Sequence, residues 1–459
     1  MSATADTFPV LAGPVPPEKL LPLISFLKVA RDNVLNAVPR FAYEQKISEA
    51  KLAGGRVVLL ADPAAVKHVL LDHVENYPKA SYERRGLRAA LGEGILVSDG
   101  EKWRSHRRLM SPSFDHKSIV SYAPGMVDSI DAYLRNWETL KAGSEINIAD
   151  EMTKLTLKII SRAMFSTDSD GMSDLTGDTL RRVAEELVFD LPDAVPLLGR
   201  YRAWRRFARI DKIFAKLNKQ MYALIEARTK APKEGTPDLL DRLVAARDSE
   251  SGIALTDKEV RDEVVIIFVA GHETTAVAMT FVFYLLSQHP KEEAKLHAEL
   301  DSVLGGRAPS YEDLANLPYT KMVVEEAMRL YPPAPGLSIR EAQADDVIGD
   351  TRIKKKNAIV VLPWVLHRHR ALWENPDRFE PERFSPERSQ GRPRFAYMPF
   401  GGGPRICIGA ALAMTEAQLI LATIAQRYRM TLVPGQDIRL LHRVTLRPKD
   451  GIRMFLQPR

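Results

Sequence analysis

One cysteine, Cys407, stands in the stretch FGGGPRICIG at 400–409 of a 459-residue chain. A lone thiol closes no internal disulfide and cannot build a four-cysteine zinc or iron–sulfur site. It can be an inert buried thiol, a nucleophile or a ligand. The setting narrows these. Three consecutive glycines permit turns and close approaches that other residues forbid. Pro404 stiffens the loop, and Gly409 opens a helix. Cys407 is thus placed near a helix N-terminus, where the dipole and free N–H groups lower a thiol pKa. A nucleophile needs a base, and no histidine lies within twenty residues of Cys407 in sequence. A thiolate bound to a heme iron needs no base. It needs N–H donors to the sulfur and room for a flat macrocycle.

A second group is AGHETT, Ala270–Thr275. It sets a carboxyl, Glu273, and a hydroxyl, Thr274, inside an apolar run, where unpartnered polar groups cost several kcal/mol. A local hydrogen-bond network satisfying the helix is one reading, and a reactive acid–alcohol pair is another. The zinc-hydrolase pattern H-E-x-x-H fails, because Ala276 stands at the second histidine position. His272 precedes the acid and does not face with it, which argues against ligation. Further along, Glu326 and Arg329 form an i, i+3 pair and Arg383 lies in PERF, while Trp103 and Arg107, four apart, share one helix face. Each arginine alone reads equally as a solvated charge.

These side chains need a frame, and the sequence supplies one that is mainly α with a small β portion, in a single domain over 1–459. Thr256 and Glu259 form a capping-box pattern before an apolar segment that stops at Pro290. The resulting helix, 257–289, is about 45 Å long at about 1.5 Å per residue. From Val264 to Ala270 it is apolar on every side, as a buried central helix is. Ser98 and Glu101 form a second capping-box pattern before EKWRSHRRLM. Other helices are expected at 122–140, 148–165, 202–228, 291–304, 319–330 and 410–426, with a surface helix in 20–30. Two prolines and a glycine mark 191–201 as a loop. Strand signals occur at 54–62 and, as hairpins, within 336–363. Repeats, low-complexity tracts and long linkers are absent from the sequence.

Composition agrees with a globular protein: 45% hydrophobic, 27% charged. One cysteine fits a reducing, cytoplasmic setting. A net charge of +6 spread over scattered Lys and Arg suggests a local acidic partner rather than nucleic acid. The N-terminus lacks the pattern of a signal peptide, and no transmembrane anchor is expected.

Phe400, Gly403, Arg405, Cys407 and Gly409 match F-x-x-G-x-R-x-C-x-G, which resembles the heme-binding loop of the cytochrome P-450 family. AGHETT is similar to that family's oxygen-activation motif, A-G-x-[DE]-T-T. Glu326-x-x-Arg329 with Arg383 is similar to its structural triad. His367, Arg368 and Trp373 follow its H-R-x4-W spacing. The motifs occur in family order across about 96–426. The resemblance implies heme b held by Cys407 as the iron ligand, with O2 as co-substrate. It places Trp103, Arg107, Arg340 and Arg405 at the heme propionates, Ala270 and Gly271 beside the oxygen site, Phe400 and Gly409 around the sulfur, and Glu273 with Thr274 in proton delivery.

The implied activity is monooxygenation of a lipophilic small molecule. Its electrons come from a separate ferredoxin- or flavodoxin-type donor with its reductase. That donor docks near Arg104, Arg108, Lys117, Arg388, Arg392 or Arg394. Pocket walls are expected at 77–96, 191–201, Phe268, Val269 and 333–337. A peroxide-dependent peroxygenase or rearrangement enzyme, and a non-catalytic heme-binding protein, are the alternatives. The first tends to lose the acid–alcohol pair, which is present here.

Overall fold

The computed structural model describes residue 9 and residues 11–166 and 196–459, apart from 32, 53–54, 82, 85–87, 89–90, 232–234 and 443; between 167 and 195 it describes only Thr179, Arg182 and Glu186. Helices dominate, and they pack around one long member, Asp257–Gln288. Its start is fixed by a reciprocal cap. Thr256 Oγ1 accepts from the Glu259 N–H at 3.3 Å, and Glu259 Oε2 accepts from the Thr256 N–H at 3.1 Å. Among the described residues it is the one helix long and apolar enough to cross a membrane, and 72% of its most apolar window is buried within the fold. Helices Ile148–Phe165, Pro196–Lys230, Pro318–Leu330 and Ala410–Arg427 pack against it. Buried Val264, Phe268, Met279 and Phe281 from this helix meet Ile159, Leu155 and Ile420 in a single apolar core.

The central helix is not buried on every side. Val264–Phe268 are buried, but Val269 is half-buried and Ala270 is exposed, midway between fully buried turns.

Four strands form the larger sheet. Ile47–Leu52 pairs antiparallel with Gly55–Leu60, which runs parallel to Ala358–Val361; Arg340–Glu341 closes the edge. Asp346–Ile348 and Thr351–Ile353 form the expected hairpin. Ala358–Val361 leaves that hairpin to pair across the chain with Gly55–Leu60. Three strands, Ser144–Asn147, Arg453–Pro458 and Tyr428–Leu432, make a second sheet that the sequence does not announce. A last pair, Leu440–His442 with Leu446–Pro448, carries Thr445 in its turn.

Three local expectations are corrected. Ser98 and Glu101 form no capping box; the helix Gly100–Met110 starts at Asp99 without a side-chain cap. The Asp99 carboxylate is taken by Arg405 and Arg84, and Glu101 by Arg104. The helix expected from 122 starts at His116, where Asp115 accepts from the Ser118 N–H at 2.7 Å, and Pro124 lies inside it. The loop expected at 191–201 lies partly outside the described residues, and from Pro196 onward the chain is helical. Proline is pre-organised for a first helical position, so it opens this helix rather than breaking it.

Candidate active site: a cysteine loop beneath a cluster of cations

Residues 400–409 fold as a tight crossing. The Cys407 N–H donates to Phe400 O at 2.9 Å, and the Ile406 N–H to Gly403 O at 3.1 Å. Gly403 has φ +70°, and a Cβ there would stand 1.8 Å from the Leu70 carbonyl oxygen. Only glycine fits both the conformation and the approach. Phe400 packs on the main core, and Gly409 is the N-cap of Ala410–Arg427.

Cys407 is exposed, yet burial among its neighbours is the largest influence on its thiol and pushes the pKa up; the Gly409 N–H and Arg107 oppose it. The two observations agree if the sulfur opens onto an enclosed concavity. The helix N-terminus therefore does not by itself make this a thiolate. A metal ligated here must displace a proton.

The loop is braced from below. Glu326 and Arg329 are fully buried and paired at 2.6 and 2.8 Å, and Arg383 reaches Glu326 at 3.3 Å. Arg329 also donates to the carbonyls of His367, Pro376 and Arg378. Burial and then Arg329 hold the His367 pKa down to about 3, so its ring is neutral. One ring nitrogen meets Arg329 O and the other accepts from the Met398 N–H at 2.9 Å. Met398 O in turn takes the Gly401 N–H at 3.0 Å. Arg368 lies 3.6 Å over the Trp364 ring, and Trp373 donates to Leu366 O. The motif residues thus carry rigidity from the core to the cysteine loop.

Beside the loop lies a concentration of positive charge. Arg340 is buried, and its Nε has no partner. Lys79, also buried, bridges it across an isolated β-bridge and donates to Leu96 O. Burial, then Arg405 and Arg340, push the Lys79 pKa down to about 7. Arg405 pairs with Asp99, donates to Ser98 O at 3.1 Å and lies 4.3 Å over the Trp103 ring. Arg84 joins through Asp99, and Glu83 accepts from the Ile339 N–H. Among the described residues, four cations thus face two carboxylates, and one buried guanidinium nitrogen is unpaired. A group bearing two carboxylates fits this imbalance. An exposed thiol beside a cation cluster fits a heme with its two propionates.

The sequence named Arg340, Arg405 and Trp103 here and missed Lys79, whose neighbourhood is apparent only once the bridge to Arg340 forms. Arg107 does not join the cluster. Its guanidinium donates to Ile406 O at 2.8 Å and acts on Cys407 instead. Trp103 stacks rather than presenting a donor to an anion within the protein.

On the central helix, Thr274 Oγ1 donates to Ala270 O at 2.6 Å. Glu273 accepts from Thr445 Oγ1 at 2.5 Å. His272 is buried against Phe268 O, and its own carbonyl accepts from Thr156. A side chain at Gly271 would point at Ile160, 3.3 Å away, so its smallness serves a helix–helix seam. Phe268 is corrected, since it is buried against Phe165 with ring centroids 5.3 Å apart. Tyr77 is fully buried and donates to Asp346 at 2.6 Å. One further residue escaped the sequence. Glu416, on the helix after Cys407, is buried beside Thr275, and one carboxyl oxygen has no partner. Burial pushes its pKa up to about 8.

Residues 14–454 match the family model described as cytochrome P-450. The chain is 36% identical over 428 residues to cyclooctatin synthase of Streptomyces melanosporofaciens, covering 90% of this chain and 88% of that protein. It is 35% identical to cyclooctat-9-en-7-ol 5-monooxygenase of the same organism, covering 85% and 83%. The crystal structure of the cytochrome P-450DA heme domain superposes with a TM-score of 0.81 at 26% identity, covering 98% of each chain. Another cytochrome P-450 crystal structure gives 0.83 at 28%, covering 97% of this chain and 99% of that one. With its cysteine loop, buried triad and central helix in the family's arrangement, this chain belongs to the cytochrome P-450 family and is an oxidoreductase of the monooxygenase class that uses heme iron and O2.

Proposed function

We propose that this chain holds heme b through Cys407 and inserts one oxygen atom of O2 into a lipophilic small molecule. Electrons come from NAD(P)H through a separate ferredoxin- or flavodoxin-type donor and its reductase, in a cytoplasmic setting. The observation that carries the reading is the exposed Cys407 beside a buried cation cluster with an unpaired Arg340 nitrogen. The bound heme supplies O2 activation and oxygen-atom transfer.

This chain's residues do the rest. Cys407 Sγ would hold the heme iron, and the Gly409 N–H would temper the sulfur's basicity. Arg340, Arg405 and Lys79 would neutralise the propionates, and the Trp103 ring would support the Arg405 guanidinium that lies over it. Arg107 fixes the loop through Ile406 O. Ala270, small and exposed on the central helix, would leave space beside the group. Thr274 Oγ1 holds a proton at the rim of that room, and Glu273, tied to Thr445, resupplies it. The related monooxygenase is named for oxidising an unsaturated alcohol, which supports a substrate with a large apolar skeleton.

A reduced carbon-monoxide difference spectrum of the purified protein tests the reading. A strongly red-shifted Soret band, lost in Cys407→His, is expected. A band of the histidine-ligated type in the unaltered protein overturns it. Turnover with NAD(P)H, donor and reductase, but not with peroxide alone, separates monooxygenase from peroxygenase.

A further inference from the structure

Outside the site just described, His68, His73 and Asp346 bring one ligand atom each within 4.8 Å of one another. The backbone explains the meeting. Residues His68–Asp72 form a π turn, closed by the His73 N–H donating to His68 O at 2.8 Å. In an ordinary α-helix, residues five apart diverge around the axis. The i→i+5 bond adds a residue to the turn and returns both side chains to one side. The two imidazoles consequently stack, with centroids 4.1 Å apart and planes 26° from parallel. Asp346 arrives from the hairpin strand Asp346–Ile348, and its Oδ2 lies 2.8 Å from His68 Nε2. Tyr77 donates to that same oxygen at 2.6 Å, and the Val347 N–H donates to Oδ1 at 2.7 Å. The carboxylate is thereby oriented from behind, as carboxylates beside metals are. His73 is exposed.

We propose that His68, His73 and Asp346 form a divalent transition-metal site of the zinc class, with solvent as the fourth ligand. Two imidazoles and one carboxylate are the donor set of open tetrahedral zinc centres, and they suit Zn²⁺, Ni²⁺ or Cu²⁺ far better than Mg²⁺ or Ca²⁺. Metal–ligand bonds of about 2.0–2.2 Å put ligand atoms about 3.3 Å apart. The His68–Asp346 contact therefore opens by about half an ångström, and the exposed His73 ring swings inward. Both movements are small side-chain rotations. The site borders the cysteine loop, because Leu70, in the middle of the same π turn, presents the carbonyl on which Gly403 is seated. Metal at the turn fixes the segment against which that loop folds.

The test uses the heme-loaded full chain without a polyhistidine tag, stripped with chelator and titrated with ZnCl2 by calorimetry near neutral pH. One equivalent with a Kd in the micromolar range or tighter is expected. His73→Ala, at an exposed side chain, should weaken it at least tenfold with an unchanged circular dichroism spectrum. Asp346→Asn should weaken it likewise, while His116→Ala should not. Absence of binding, or full affinity retained in His73→Ala, overturns the proposal. Neither readout depends on turnover or on Cys407, so failure here leaves the monooxygenase reading untouched.

Discussion

Lys79 and Arg340 face one another across an isolated antiparallel bridge, two buried cations held side by side. Such a pairing is unfavourable unless an anion joins it. In Lys79→Met, loss of one charge-assisted contact of about 1.5–3 kcal/mol should speed heme transfer to a scavenger apoprotein by about tenfold or more. The heme-free form should instead gain stability. The Lys79 pKa is lowered from 10.5 to about 7, so its cost to the fold is fully felt below about pH 7 and fades toward pH 10.5. Unchanged heme loss would remove Lys79 from the propionate site.

Gly403→Ala tests the loop. The added Cβ meets a backbone oxygen at 1.8 Å, and φ +70° strains any other residue. The loop or the π turn must move, at a cost of about 3 kcal/mol or more. The expected outcome is a sharp fall in heme content per chain, read from the Soret-to-protein absorbance ratio, with helix content retained.

Glu416→Gln should change how stability depends on pH. The folded-state pKa, about 8, lies above the ordinary 4.5, so the neutral acid is favoured in the fold. Its contribution is full below about pH 4.5 and is lost as pH rises through about 8. Across that window the unaltered protein should lose up to about 1.4 kcal/mol per pH unit from this group. Urea midpoints of Glu416→Gln should lack that slope, and parallel curves for the two proteins would refute it.

Thr274→Ala should leave NAD(P)H consumption but cut product per NAD(P)H several-fold, because the hydroxyl beside Ala270 is gone. Thr445→Val releases Glu273 from its 2.5 Å hydrogen bond and should lower coupling by a smaller factor. Full coupling in Thr274→Ala would discard its role in proton delivery.

Donor docking narrows once the partners are known. Arg104, Arg108 and Arg388 are spent on Glu75, Asp248 and Glu380, and Arg392 packs on Trp373 and Phe384. Lys117 and Arg394 are exposed. The double variant Lys117→Glu, Arg394→Glu should raise the donor KM and flatten its salt dependence. Unchanged donor kinetics would move the docking surface elsewhere.

Which parts were legible in the sequence follows from the range of the interactions involved. The central helix, its cap and the Glu326–Arg329 pair rest on local spacing, and all three form; Arg383, 57 residues from Glu326, was legible only through the family resemblance. Lys79, Glu416 and the Thr445 contact depend on segments brought together from distant positions, and no local pattern marks them. The Arg107 hydrogen bond was hidden for the same reason, because its acceptor, Ile406 O, lies in a loop 299 residues away. The Gly271–Ile160 seam is not legible in the sequence, because small size alone does not say which neighbour requires it.

The seam between Gly271 and Ile160 also limits how a chain of this kind could acquire a new substrate. No side chain can be added at 271 without meeting Ile160, and Thr156 holds the next carbonyl in place. Of this turn, Ala270 is exposed while Val269, Gly271, Glu273 and Thr274 are half-buried. Descendants of the sequence would therefore inherit the central helix as a fixed wall and diversify at that one position and in the segments opposite it.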